Sequence, residues 1–216
     1  MTRLISFFSL LFLISFSSFP QNFLSTSGKS IVNEMGDTII LRGMGLGGWM
    51  VQEGYMMAPG GFSSTQYQIR DKLTELIGSQ ETDIFYDNWL SNHVRKIDID
   101  SMKQWGFNLV RAPIHYNLFT EPIQNEPYPF AYTEKEKGYQ LLDSLLSWCK
   151  QNEIYLMIDL HAAPGGQGYN ADISDYDPSK PSLWESVYNQ RKTVDLWKRI
   201  AQRYKDEEWI AGYDLI

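Results

Sequence analysis

The sequence predicts an α/β fold built on parallel strands, and three observations predict it. Strand-length apolar runs alternate with longer helical segments through the second half of the chain, the signature of βαβ units. Ile154 to Ile158 is a short continuous apolar run of the kind that forms a buried parallel strand. That run leads directly into Asp159, Leu160, His161, Ala162, Ala163, Pro164, Gly165, Gly166 and Gln167. A carboxylate, an imidazole and a Pro-Gly-Gly turn at the C-terminal end of a parallel strand are placed as in the active-site rim of an α/β barrel.

The first twenty residues stand outside this fold. Arg3, the apolar stretch from Leu4 to Phe16 and the small residues Ser15 and Ser17 have the pattern of a secretory signal peptide. Residues 1–20 are therefore assigned to a signal and residues 21–216 to one folded unit, with export to the cell exterior or periplasm. From Gly28 to Arg42 the chain reads as a β-hairpin, with Ile31–Val32 and Thr38–Leu41 flanking a turn at Glu34–Asp37. Gly43, Gly45, Gly47 and Gly48 then crowd the end of a strand just before Trp49. No helix follows at once, so close backbone approach explains the glycines better than a dinucleotide loop does.

Helices are expected over 66–77, stopped by Gly78, and over 82–90. A third, short helix is expected with Asp98 as its cap, with Ile99, Met102 and Trp105 on one face and Gly106 as its stop. Phe107 to Arg111 reads as the next strand, limited by Pro113, with His115 and Tyr116 on the loop above it. Residues 117–132 hold three prolines and no periodicity. Thr133 and Glu136 match a capping box, followed by a helix that packs through Leu141, Leu142, Leu145, Leu146 and Cys149. After the central motif, 165–184 is a long polar loop of the kind that usually serves function. A helix over 187–204 should pack through Thr193, Trp197, Ile200, Ala201 and Tyr204, and a fourth strand starts at Ile210. Ending at Ile216, in mid-strand, the sequence is expected to be truncated.

Composition narrows the function classes. The chain has 43% hydrophobic residues, 14% aromatic residues and a formal charge of −7. The charge argues against nucleic acid and against an anionic membrane surface, and the apolar stretch at the start is short for a membrane span. Abundant aromatics suit either a carbohydrate cleft or a large core. Cys149 is the sole cysteine, so no internal disulfide forms, and its helical position suits a buried thiol. His115, His161 and Asp159 could be read as metal ligands, but the spacings typical of barrel metal sites are missing. No metal and no cofactor are expected.

Four stretches resemble glycoside hydrolase family five, the cellulase and β-glucanase family: Leu41 to Trp49 with Glu53 and Tyr55, Gly106 to Ile114, Asp159 to Gln167, and Gly212 to Ile216. They occur in the family's order, and the first and third are most similar to its exo-β-1,3-glucanase branch. The resemblance implies a (β/α)8 TIM barrel, of which this chain covers about the first four β/α units behind an N-terminal β-hairpin. It implies a retaining β-glycosidase acting on β-glucans or their oligosaccharides, with both catalytic glutamates expected beyond Ile216. It also implies that Arg111 lies beneath the nucleophile, that His161 bonds the sugar in the −1 subsite, and that Glu53 accepts from sugar hydroxyls. By the same resemblance Tyr55 and Trp49 wall the pocket, with core packing the alternative for Trp49. His115 is expected to contact substrate or support Arg111, and Asn170 and Asp172, in the long loop after the third strand, to reach a subsite. Asp159 is expected to be structural, and His93 to be a surface or packing residue. The competing reading of the chain is a non-catalytic carbohydrate-binding half barrel or an inactive remnant.

Overall fold

The computed structural model describes residues 23–57, 61, 63–168 and 171–216, with backbone only at 171 and 172. Residues 1–20, read from the sequence as a signal, lie outside the described residues. The chain begins with β1 (Ser25–Ser27) and β2 (Ser30–Val32), followed by β3 (Gly43–Gly45) and the helices α1 (Gly54–Met57), α2 (Gln66–Ile77), α3 (Ser79–Asn92) and α4 (Lys96–Gln104). Then come β4 (Leu109–His115), α5 (Glu136–Gln151), β5 (Tyr155–Ala162), α6 (Ala171–Ser174), α7 (Val187–Tyr204) and β6 (Ile210–Asp214). β3, β4, β5 and β6 lie side by side in chain order as a parallel sheet, and β1 and β2 form a separate antiparallel pair. These are four adjacent parallel strands with the helices that connect them, part of a barrel.

Period-two alternation divides the sheet into a dry face and a functional face. Val110, Ala112 and Ile114 on β4 and Leu156, Ile158 and Leu160 on β5 are all fully buried. They share one core with Leu142, Leu145 and Cys149 of α5 and Leu196 and Ile200 of α7. The intervening residues align across the strands on the other face. Gly45, Arg111, Met157 and Gly212 form one row, and Pro113, Asp159 and Asp214 the next. A one-residue slip would drive Arg111 and Asp159 into the helix layer, so burying the apolar face fixes the register of the polar one.

Caps explain where the best-defined helices start. Thr65 accepts from the Gln68 amide at α2, and Ser186 accepts from the Asn189 amide at α7. Gly106, at φ +85, stops the segment after α4.

The structure departs from the sequence reading at several places. The first antiparallel pairing is Ser25–Ser27 with Ser30–Val32, turning at Gly28 with φ +60. The expected partner arm contributes only a bridge from Thr38 to Val32. Asp98 sits one turn inside α4, where its carboxylate accepts from the Arg95 amide at 2.8 Å. Trp105 is 68% exposed, because it follows the last helical turn instead of lying on its packed face. Thr133 makes no capping box; its amide and hydroxyl are taken by Glu126, and Lys135 is the cap residue of α5. Ala201 is exposed and Leu196 takes the buried position on α7. Pro113 does not end β4. The Leu46 amide donates to the Arg111 carbonyl, so Pro113, two residues on, faces the same side, where β3 has already ended and no ladder bond needs its N–H.

Candidate active site

Four segments bring ionisable groups together at the C-terminal end of the sheet. β4 carries Arg111, β5 carries Asp159 and His161, β6 carries Asp214, and Glu53 stands just before α1. Arg111 Nη2 lies 2.9 Å from Asp159 Oδ2 and 3.2 Å from Asp214 Oδ2. Asp159 Oδ2 also lies 2.9 Å from His161 Nδ1, and on the far side of the ring His161 Nε2 lies 2.9 Å from Glu53 Oε1. The Tyr55 hydroxyl donates to Glu53 Oε2 at 3.1 Å. The result is a continuous chain of Tyr55, Glu53, His161, Asp159, Arg111 and Asp214.

Burial sets the electrostatics of this chain. Asp159 and Glu53 are almost fully buried, whereas His161 and Arg111 keep part of their surface in solvent. The contacts of Asp159 Oδ2 are ion pairs at short distance, off the line of an ideal hydrogen bond. Each ring nitrogen faces a carboxylate, Nδ1 that of Asp159 and Nε2 that of Glu53, which favours protonation of the ring. The His161 pKa is accordingly raised: contact with Asp159 is the largest cause, and the Glu53 charge adds to it against the opposing effect of burial. Burial and the adjacent Glu53 carboxylate raise the Tyr55 phenol, which stays a donor.

The turn after β5 is rigid. Gln167 bonds it internally, accepting from the Ala163 amide at 3.0 Å and donating to the His161 carbonyl at 2.8 Å. Gly165 and Gly166 have φ of +82 and +75, and a Cβ at Gly165 would stand 2.2 Å from Asn189 Nδ2. Only glycine fits there, so the Pro-Gly-Gly sequence anchors the end of β5 that carries His161.

Other expected residues fall elsewhere. Trp49 is 2% exposed and its Nε1 donates to the Leu90 carbonyl at 2.8 Å; it packs in the core and presents no ring to the cleft. His115 is buried and turned away from Arg111. Its Nδ1 accepts from the Asn117 amide, and its Nε2 meets Asp175 Oδ2 at 2.9 Å. Asp175 in turn accepts from the Tyr67 amide, so Asp175, in the loop after β5, ties His115 to α2. A register shift between Ile114 and His115 takes it off the row of functional residues. Asn170 lies outside the described residues, and nothing is described for the side chain of Asp172. His93 is exposed and stacks on Trp89 at 4.5 Å. Asp214 was missed, and Asp159 proves to be the hub between Arg111 and His161. Its two-residue spacing from His161 was the available signal, since residues i and i+2 of a strand share a face.

Comparisons with known proteins agree with this architecture. The family model for Cellulase (glycosyl hydrolase family 5) matches residues 66–216. A β-xylosidase from Phanerodontia chrysosporium is 35% identical over 89% of this chain and 38% of its own length. A glucan 1,3-β-glucosidase from Candida oleophila is 32% identical over 82% of this chain and 41% of its own. The chain thus spans about two fifths of these curated relatives. The crystal structure of a rutinosidase from Aspergillus niger superposes with a TM-score of 0.57 at 17% identity, covering 79% of this chain and 47% of that one, a likeness of fold. With its matched residues, strand order and cluster of charged groups at the strand ends, the chain belongs to glycosyl hydrolase family 5.

Proposed function

We propose that this chain supplies the sugar-binding half of a secreted retaining β-glycosidase that cleaves β-glucosidic bonds of glucans. The observation that carries the proposal is the Glu53–His161–Asp159–Arg111 chain of contacts at the end of the parallel sheet. A sugar hydroxyl is held best by a strong acceptor that is fixed in place. Glu53 is the acceptor, oriented by Tyr55 and His161 and keeping a lone pair free on each oxygen. Arg111 uses Nη2 for its present contacts, and its guanidinium has further N–H groups for an incoming carboxylate. A nucleophile beside that charge would stay ionised. The acid/base and nucleophile glutamates are expected after Ile216, about 5–5.5 Å apart as retention requires. The curated relatives' greater length is consistent with this, and the N-terminal signal pattern supports secretion.

The test uses the natural protein on aryl β-glucosides. Arg111→Ala is expected to lower kcat by at least about a hundredfold, the scale of losing a preorganised charge at a reacting centre, with the fold retained by circular dichroism. Turnover within a factor of about three of wild type would overturn the assignment. The name of the Phanerodontia chrysosporium relative favours a second reading, β-xylosides. A higher kcat/KM on the aryl β-xyloside than on the glucoside would select it.

A further inference from the structure

The loop between β4 and α5 holds aromatic rings out into solvent on a rigid frame. Its base is closed by a bridge between Thr120 and Glu134 and by the Lys135 amide donating to the Phe119 carbonyl at 2.8 Å. Inside, the buried Glu126 carboxylate accepts from the Thr133 amide at 2.9 and 3.1 Å and from the Thr133 hydroxyl at 2.7 Å. Lys192 of α7, also buried, pairs with Glu126 and donates to Thr120 Oγ1 at 3.2 Å and the Ala131 carbonyl at 3.3 Å. Pro127 and Pro129 stiffen the backbone between these anchors.

On this frame Phe130 is held at φ +64 with 57% of its surface exposed. The left-handed region is disfavoured for a large aromatic residue. A ring more exposed than buried recovers little of that cost by packing. Such strain persists where the surroundings impose it, and it clusters at binding sites. Phe130 leans on Tyr188 of α7 with ring centroids 4.7 Å apart and planes at 43°, so the two rings form a notch. With Tyr128, Arg191 and Asp195 they line a cavity of about 390 Å³, within the size range of small-ligand sites. Arg191 and Asp195 pair with each other, Nε to Oδ2 at 3.3 Å. The notch therefore carries no unpaired charge from this pair, yet offers N–H donors and carboxylate acceptors beside apolar ring faces.

That combination fits a neutral pyranose, whose C–H face is apolar and whose edge both donates and accepts hydrogen bonds. We propose that Tyr128, Phe130, Tyr188, Arg191 and Asp195 form an accessory site for glucosyl units of a β-glucan, separate from the Glu53–Arg111 cluster. The inference rests on the glycosidase reading above. The loop after β4 follows a strand end and Tyr188 lies in the first turn of α7, so the two rings stand at the same end of the sheet as the candidate active site, with Arg191 and Asp195 further along the helix.

The test compares the natural protein with Phe130→Gly and Tyr188→Ala. Glycine accepts φ +64 without strain, so the first variant removes the ring while keeping the loop, and the second removes an exposed helical ring. Two quantities are read: retardation in a gel containing soluble polymeric β-1,3-glucan, and kcat/KM on an aryl β-glucoside, which reaches only the catalytic pocket. Each variant is expected to weaken glucan affinity about tenfold, or about 1.4 kcal/mol, with aryl glucoside turnover unchanged. Unchanged affinity in both variants would overturn the accessory site and leave the glycosidase reading standing. A parallel loss of turnover would also overturn it, by placing the rings in the catalytic cleft. A wild-type protein with neither turnover nor retardation would remove both readings.

Discussion

Replacing Asp159 by asparagine tests whether this carboxylate holds the site together. Asparagine keeps the volume, so no cavity term enters, and the change is close to pure loss of charge. Breaking a buried ion pair by removing one partner typically costs about 3–5 kcal/mol. Two features reduce that figure here. Arg111 is about a third exposed and retains Asp214 at 3.2 Å, so much of its charge remains solvated and paired. His161 can shed its proton once the Asp159 charge is gone. The expected loss is therefore about 2–3 kcal/mol of unfolding free energy, measured by urea denaturation of the natural protein at neutral pH. The same variant should lower the His161 titration midpoint, read from its imidazole proton resonances, because the largest cause of its elevation is removed. A stability loss under about 0.5 kcal/mol, the range of an ordinary surface substitution, together with an unmoved His161 midpoint, would refute the linkage.

Other outcomes follow from the same contacts. In the wild-type protein His161 should titrate above its ordinary value of 6.5. Because the folded pKa is the raised one, its contribution to stability is complete below 6.5 and is lost as pH rises through the folded value; a midpoint at or below 6.5 by NMR would contradict this. Lys192→Met would leave Glu126 buried without its cation and should cost about 3–5 kcal/mol in urea. The same variant paired with Glu126→Gln should recover part of that loss, and a double variant as unstable as the single would argue against the pairing.

Legibility in the sequence followed the range of the forces involved. α2 and α7 were readable to their ends because their caps are local: Thr65 and Ser186 each precede a run with helical spacing. β5 was readable as a buried strand because both of its faces are covered as it enters the core. The site was readable in part. Glu53, His161 and Arg111 converge, and period-two spacing alone places Asp159 beside His161. The contact of Arg111 with Asp214 depends on the register of three strands across more than a hundred residues, which no local pattern reports. Trp49 illustrates the opposite limit. An aromatic beside a glycine-rich stretch has the same sequence whether it lines a cleft or packs a core, and the Leu90 carbonyl that receives its N–H decides the matter. His115 was read as contacting substrate or supporting Arg111; the irregularity after Ile114 breaks the alternation that would have aligned it with Arg111, and it meets Asp175 instead.

The most direct test of the proposed sugar site is kcat/KM of the Glu53→Gln variant on an aryl β-glucoside. The substituted amide keeps the size and still accepts, but it loses the charge that orients His161 and strengthens each hydroxyl contact. A fall of about tenfold to a hundredfold is expected, the worth of one or two charge-assisted hydrogen bonds, with the melting transition still cooperative. A value within a factor of about two of wild type would contradict the placement of substrate against Glu53.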